Sequence, residues 1–173
     1  MRKYQIVLFL FLVSASLGFL SCYKEPDFAL TPEISFNKIQ KFIRIDQFSA
    51  AKKDSIILTV NFKDGDGDLG FNADEIGKKV KQDDFNFVVK SLRSIKGKFT
   101  EFKPAESFSG FYPKLKTDDK IGPIEGKLSY RIQIETAFWP VKRDTVIFEV
   151  FIKDRAGNRS NSVTTEPLVI NTL

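Results

Sequence analysis

The chain has 173 residues, with 27 Lys and Arg against 22 Asp and Glu, and it contains no histidine. That length suits one domain, and a formal charge of +5 spread along the chain is too mild for a nucleic-acid footprint. Without histidine there is no Ser-His-Asp or Cys-His nucleophile system and no His-ligated zinc, and the single cysteine, Cys22, rules out an internal disulfide.

The first element is a leader. Met1-Arg2-Lys3 is followed by an apolar stretch from Ile6 to Val13, the small residues Ser14-Ala15-Ser16, and then Gly18-Phe19-Leu20-Ser21-Cys22. A basic n-region, an apolar h-region and a small residue before a cut describe an export signal. An ordinary secretory signal and an uncleaved anchor helix are the alternatives, since the stretch is near the lower limit for a span of about 20 residues. The segment resembles a bacterial lipoprotein signal: Ser21 is the small residue before the cysteine, although Phe19 stands where Leu is usual. The resemblance implies that residues 1–21 are removed and that the Cys22 thiol takes a diacylglycerol. It also implies that the acylated residue becomes the N-terminus, held by more than one chain. Tyr23-Lys24-Glu25-Pro26-Asp27 is similar to the short acidic tag of Bacteroidota surface lipoproteins. It implies an outer-membrane address at the cell surface, with a periplasm-facing lipoprotein as the alternative. Loss of Arg2 and Lys3 with an acid-free leader lowers the charge from +5 to +3.

Residues 22–33, with Pro26 and Pro32, read as an extended lipidated tether. From residue 34 to 173 the apolar period is two rather than 3.6, which predicts strands. The first opens at Ile34 and runs towards Ile45; the second is Ser55 to Phe62, rich in β-branched residues and closed by Asp-Gly turns. Asn72 to Lys81 is the one hint of a short helix. Phe85 to Ile95 and Lys98 to Phe102 flank the hairpin turn Lys96-Gly97, with Phe85, Phe87, Val89 and Phe99 as core candidates. Pro104 to Pro113 reads as a loop. Lys127 to Thr136 places Leu128, Tyr130, Ile132 and Ile134 on one face; Thr145 to Lys153, a turn over Asp154–Asn158, and Ser162 to Ile170 complete the chain. About seven strands predict a single immunoglobulin-like or fibronectin-like antiparallel β-sandwich, with a β-barrel as runner-up.

Lys63-Asp64-Gly65-Asp66-Gly67-Asp68-Leu69-Gly70 interleaves three carboxylates with glycines, a pattern that can wrap oxygen ligands around a hard cation such as calcium. Counting on from Asp64 puts Glu75 at the twelfth position, where a bidentate ligand would sit. Leu69 in place of the sixth-position glycine, and a strand rather than a helix upstream, exclude an EF-hand. The other reading is an acidic turn whose aspartates cap backbone amides, with Lys63, Lys78 and Lys79 relieving the repulsion. If Ser55–Phe62 is strand B and Thr145–Lys153 strand F, the loops that follow them share one end of the sandwich. Asp154 and Asn158 then approach the acidic loop, or else only stabilise the turn around Gly157.

Three segments together are similar to a group of small Bacteroidota surface lipoproteins: Asp64 to Gly70, Gly122-Pro123-Ile124-Glu125-Gly126, and Lys153 to Asn161. That resemblance implies a single sandwich at the membrane and brings no catalytic residues. Phe111, Tyr112 and Trp139, in or beside predicted loops, are either a glycan-stacking platform or plugs over the sandwich ends. Three functions follow. The first is a non-catalytic binding or structural module attached to a membrane through lipid, with calcium and the acyl group as cofactors. The second is an accessory subunit of a glycan-capture or secretion assembly with a protein or glycan partner. The third is a hydrolase built on a carboxylate pair such as Glu125 and Glu135.

Overall fold

Eight strands form where the β-branched, alternating runs stand. The computed structural model describes Tyr4 and residues 25–79, 84–118 and 120–172. In chain order these are β1 (Glu33–Ile45), β2 (Lys52–Asp64), the short helix α1 (Ala73–Lys79), β3 (Phe87–Ile95) and β4 (Lys98–Phe102). They continue as β5 (Ile124–Glu135), a 3₁₀ turn (Thr136–Phe138), β6 (Asp144–Ile152), β7 (Val163–Thr164) and β8 (Leu168–Ile170). Cys22, with its expected lipid, and Tyr23 and Lys24 lie outside the described residues. Among the described residues no helix is long and apolar enough to cross a membrane.

One sheet has the order β1-β2-β5 and the other β4-β3-β6-β7, with β8 also paired to β6. All pairings between named strands are antiparallel. Sheets of three and five strands thus face each other as an antiparallel β-sandwich, with β2 in the place of strand B and β6 in that of strand F. Among the described residues no pairing closes the two sheets into a barrel. The expected last strand is two short ones, because Pro167 cannot donate to the ladder.

β2 is the central strand of its sheet, paired with β1 over Lys52–Lys63 on one side and with β5 over Lys53–Asp64 on the other. It spans roughly 40 Å at about 3.3 Å per residue. Its inner face buries Ile56, Leu58, Val60 and Phe62 against Phe87, Val146, Phe148 and Val150 of the facing sheet. Leu128, Ile132 and Ile134 join the core, while Tyr130 is half-buried and stacks on Phe87 with ring centroids 4.2 Å apart. The side-chain amide of Asn161 donates to the Ile34 carbonyl and its oxygen accepts from the Ile34 N–H, both at 2.8 Å, which holds the start of β1 to the other sheet. Phe148 is wholly buried, whereas Phe48 at the β1–β2 turn is fully exposed. Phe148→Ala should therefore cost about 3–5 kcal/mol of unfolding free energy. Phe48→Ala should stay within about 0.5 kcal/mol of the parent in the same urea titration.

Candidate metal centre

The acidic loop leaves the sandwich at the last residue of β2. Asp64 ends that strand wholly buried, because it continues the inward-facing alternation of Ile56, Leu58, Val60 and Phe62 and is paired with Ile124 of β5. Beyond it the backbone folds back tightly. Gly67 adopts φ +73°, a conformation that side chains resist, and a Cβ there would lie 2.6 Å from the Gly122 carbonyl. Gly65 donates its N–H to the Ala29 carbonyl at 2.9 Å, and a Cβ on it would come within 2.5 Å of the Phe28 carbonyl. The loop is thus wedged between residues 28 and 29 and the Gly122 strand approach, so these two residues of the expected tether lie on the domain.

This folding-back brings a carboxylate oxygen from each of Asp64, Asp66 and Asp68 within 4.8 Å of the others. Oxygens so placed can all touch one calcium ion, whose ligands stand at about 2.3–2.6 Å. The backbone N–H of Asp68 donates to Asp64 Oδ2 at 3.1 Å and more loosely to Asp66 Oδ1 at 3.4 Å. The N–H of Ala156 donates to Asp68 Oδ2 at 3.2 Å. Asp64 Oδ1 and Asp68 Oδ1 are buried and accept no hydrogen bond. Burial, then the charges of Asp66 and Asp68, push the Asp64 carboxyl up to about 7. The Asp68 carboxyl is likewise raised, by burial first and then by Asp154 and Asp66.

Other buried acids of this protein are treated differently. Asp54 accepts from the Asn171 N–H at 2.6 Å with Lys41 Nζ at 3.9 Å. Asp144 accepts from the Trp139 indole at 2.8 Å and stands 2.7 Å from Arg93 Nε. The lysines expected to relieve the acidic loop are occupied elsewhere or remote. Lys63 lies over the Phe28 ring, Lys79 pairs with Asp84 at 2.7 Å, and Lys78 is exposed on α1. Lys153 and Lys79 together hold Asp84 down at about 2.

The loops after β2 and β6 do share one end, as the strand assignment requires. Asp154 is buried close enough for its charge to act on Asp64 and Asp68. Its two oxygens accept from the N–H and side-chain amide of Asn158, both at 2.7 Å, so this pair also closes the turn around Gly157. Glu75 has a separate place. It sits three residues after Asn72, accepts the Asn72 N–H at 2.8 Å and pairs with the Arg155 guanidinium. That is half of a capping box on α1, and its carboxylate ties the helix to the β6 turn rather than joining the three aspartates. Asn72-x-x-Glu75 is the sequence signal for this role.

Tyr112 and Trp139 are buried. The Tyr112 hydroxyl donates to the Lys153 carbonyl at 3.0 Å. Burial and the nearby Asp64, Asp154 and Asp68 charges raise its pKa further above the usual phenol range. Trp139 packs on Phe102 and Phe108, and Phe111 is half-buried between Phe71 and Phe85. All three rings plug the fold. Glu125 and Glu135 stand opposite Lys63 and Lys53, at the two ends of β5, roughly 30 Å apart by strand rise, too far to share a substrate bond. Comparison with protein families, curated proteins and solved structures finds no match to this chain.

The raised Asp64 carboxyl sets a sign for pH. In the cation-free folded protein it keeps its proton up to about 7, whereas the unfolded chain releases it near 3.8. Between those values the folded state binds more protons, so stability falls as pH rises. Unfolding free energy measured in chelator should drop by up to about 1.4 kcal/mol per pH unit across that window. Asp64→Asn should flatten the slope.

Proposed function

We propose that this chain is a lipid-anchored, extracytoplasmic, non-catalytic binding or structural module, stabilised by calcium in its acidic loop. The observation that carries the calcium reading is Asp64, wholly buried with Oδ1 unpartnered and facing two further carboxylates. Buried charge without a partner is costly, and Asp54 and Asp144 each have a protein cation to offset it. Among the described residues the acidic loop has oxygen donors and no such cation, so on this reading the missing positive charge comes from solution. Oxygen-only ligands select a hard ion, and an irregular loop suits calcium better than the strict octahedron of magnesium.

Asp64, Asp66 and Asp68 would hold the ion, with Asp154 adding negative field behind them. Its effect is mechanical. The loop it braces is the one against which residues 28 and 29 pack, between the domain and the leader. The lipid anchor rests on the placement of Cys22 behind the leader, on the signal-like residues before it, and on the resemblance to Bacteroidota surface lipoproteins.

Calorimetry on the full chain should show one calcium site, and saturation at about 100 times Kd should add about 2.7 kcal/mol of stability relative to chelator. Asp64→Asn and Asp66→Asn should abolish the heat of binding, and an unchanged melting temperature with calcium would sink the site. Separately, Cys22→Ser should end incorporation of labelled fatty acid in the bacterial host and release the protein from the membrane fraction. Label retained by that variant would exclude Cys22 as the anchor.

A further inference from the structure

The pole of the sandwich opposite the acidic loop carries exposed apolar side chains set among unpaired cations. The β1–β2 turn presents Ile45 and Phe48, the β3–β4 turn Ile95, and the chain between β5 and β6 presents Phe138 and Val141. Phe48 is fully exposed and Phe138 is 84 % exposed. The pairings place these segments together. Ile45 stands opposite Lys52, and Thr136 bonds the Lys52 carbonyl at 2.9 Å. The Asn171 side chain donates to the Val141 carbonyl at 3.2 Å, and the Arg93–Asp144 ion pair joins β3 to the start of β6. A hollow lined by Ala50, Lys52, Thr136, Ala137 and Lys142 lies between two of the tips.

Arg44, Lys52, Lys96, Lys98, Lys142 and Arg143 ring these tips, all exposed, and none forms an ion pair with a described carboxylate. Glu106, beside Phe138, is exposed, while the other acids near the tips are already engaged. Asp46 accepts the N–H groups of Phe48 and Ser49, Glu135 pairs with Lys53 at 2.7 Å, and Asp54 and Asp144 are buried with their partners. Basic residues dispersed in sequence therefore gather in space, and the pole is electropositive.

We infer that this pole docks on an anionic phospholipid surface, with Phe48 and Phe138 entering the interface and the basic ring resting on the headgroups. Three observations select that occupant. Isolated apolar tips amid cations match the amphipathic pattern of interfacial insertion, and each Lys or Arg near an anionic leaflet adds attraction. A second copy meeting pole to pole would set like charges against each other. Protein interfaces are poor in Lys, whereas four of the six cations here are Lys. The pole lies at the far end of β2 from the docked N-terminal segment, so its docking does not depend on the anchor at Cys22.

The test uses the full chain with its N-terminal segment seated in phosphatidylcholine nanodiscs, or added directly if it does not insert. It is then floated with labelled vesicles of phosphatidylcholine alone or mixed with phosphatidylglycerol. The mixed vesicles should carry up about tenfold more protein than phosphatidylcholine vesicles, and the excess should fade as salt screens the charges. Phe48→Ser with Phe138→Ser, and separately Lys52→Glu with Lys142→Glu, should lose that excess while keeping the parent melting temperature, since all four side chains are exposed. Equal flotation of parent and variants would overturn the proposal. Absence of capture by the mixed vesicles would also overturn it and leave the pole to a protein partner with an acidic rim.

Discussion

Everything at the two ends of this molecule hangs on β2. It is flanked by β1 and β5 over nearly its whole length, so an inward-facing side chain near either of its ends is buried whether or not that suits its chemistry. Asp54 and Asp64 stand near those ends, and both are buried acids. The protein meets the cost at Asp54 with the Asn171 N–H and Lys41. At Asp64 it adds two more carboxylates within ligand distance. An acid placed by sheet geometry and left without a protein cation needs a proton or a metal. One strand therefore links the fold to the candidate metal centre.

The sheet itself was legible because period two runs through nearly every strand and because the turns carry Gly, Asn and Asp. Ser55 to Phe62 could be seen as a central strand, although its real start at Lys52 could not. Lys52 and Lys53 are polar, and pairing with β1 and β5 extends the strand through them. The acidic triad was legible from its alternation with glycine, and its meeting with the β6 turn followed from strand order alone. Glu75 was placed by a spacing that belongs to helix-flanked calcium loops. Here Asn72 starts a helix, and the cheaper use of the carboxylate is to cap it and bind Arg155. Tyr112 and Trp139 sit in segments that look like loops, and only their partners, the Lys153 carbonyl and Asp144, show them to be interior. The Tyr112 bond spans 41 residues, and the Trp139 bond depends on how the chain before β6 turns, so neither leaves a periodic pattern.

Without disulfides, the fold relies on apolar packing and on polar groups that are paired where buried. Arg93, Asp144 and Trp139 form one such set, tying β3 and the approach to β6. Asn161, itself exposed, acts as a surrogate strand neighbour for Ile34. A buried ion pair of this kind adds little net stability over an apolar replacement, yet breaking one leaves an uncompensated charge. Its value lies in fixing which segments meet: the Arg93, Asp144 and Trp139 set joins neighbouring strands of one sheet, and Asn161 ties the start of β1 to the chain after β6.

The acidic loop extends that logic beyond the chain. On the proposed reading a calcium ion is the cation that the sequence omits, and it arrives only where calcium is abundant. Sites of this extracellular kind function at about 10⁻⁴ to 10⁻³ M, so in a calcium-poor compartment the loop stays protonated and loose. On that reading the ion takes the place of the proton on Asp64 and braces the loop against which Phe28 and Ala29 already pack. Because that contact is where the N-terminal segment leaves the domain, the same ion that neutralises the triad also stiffens the join. A glycine at position 65 is then required for a mechanical reason. Any side chain there would hold the segment off the loop and uncouple the domain's orientation from its anchor.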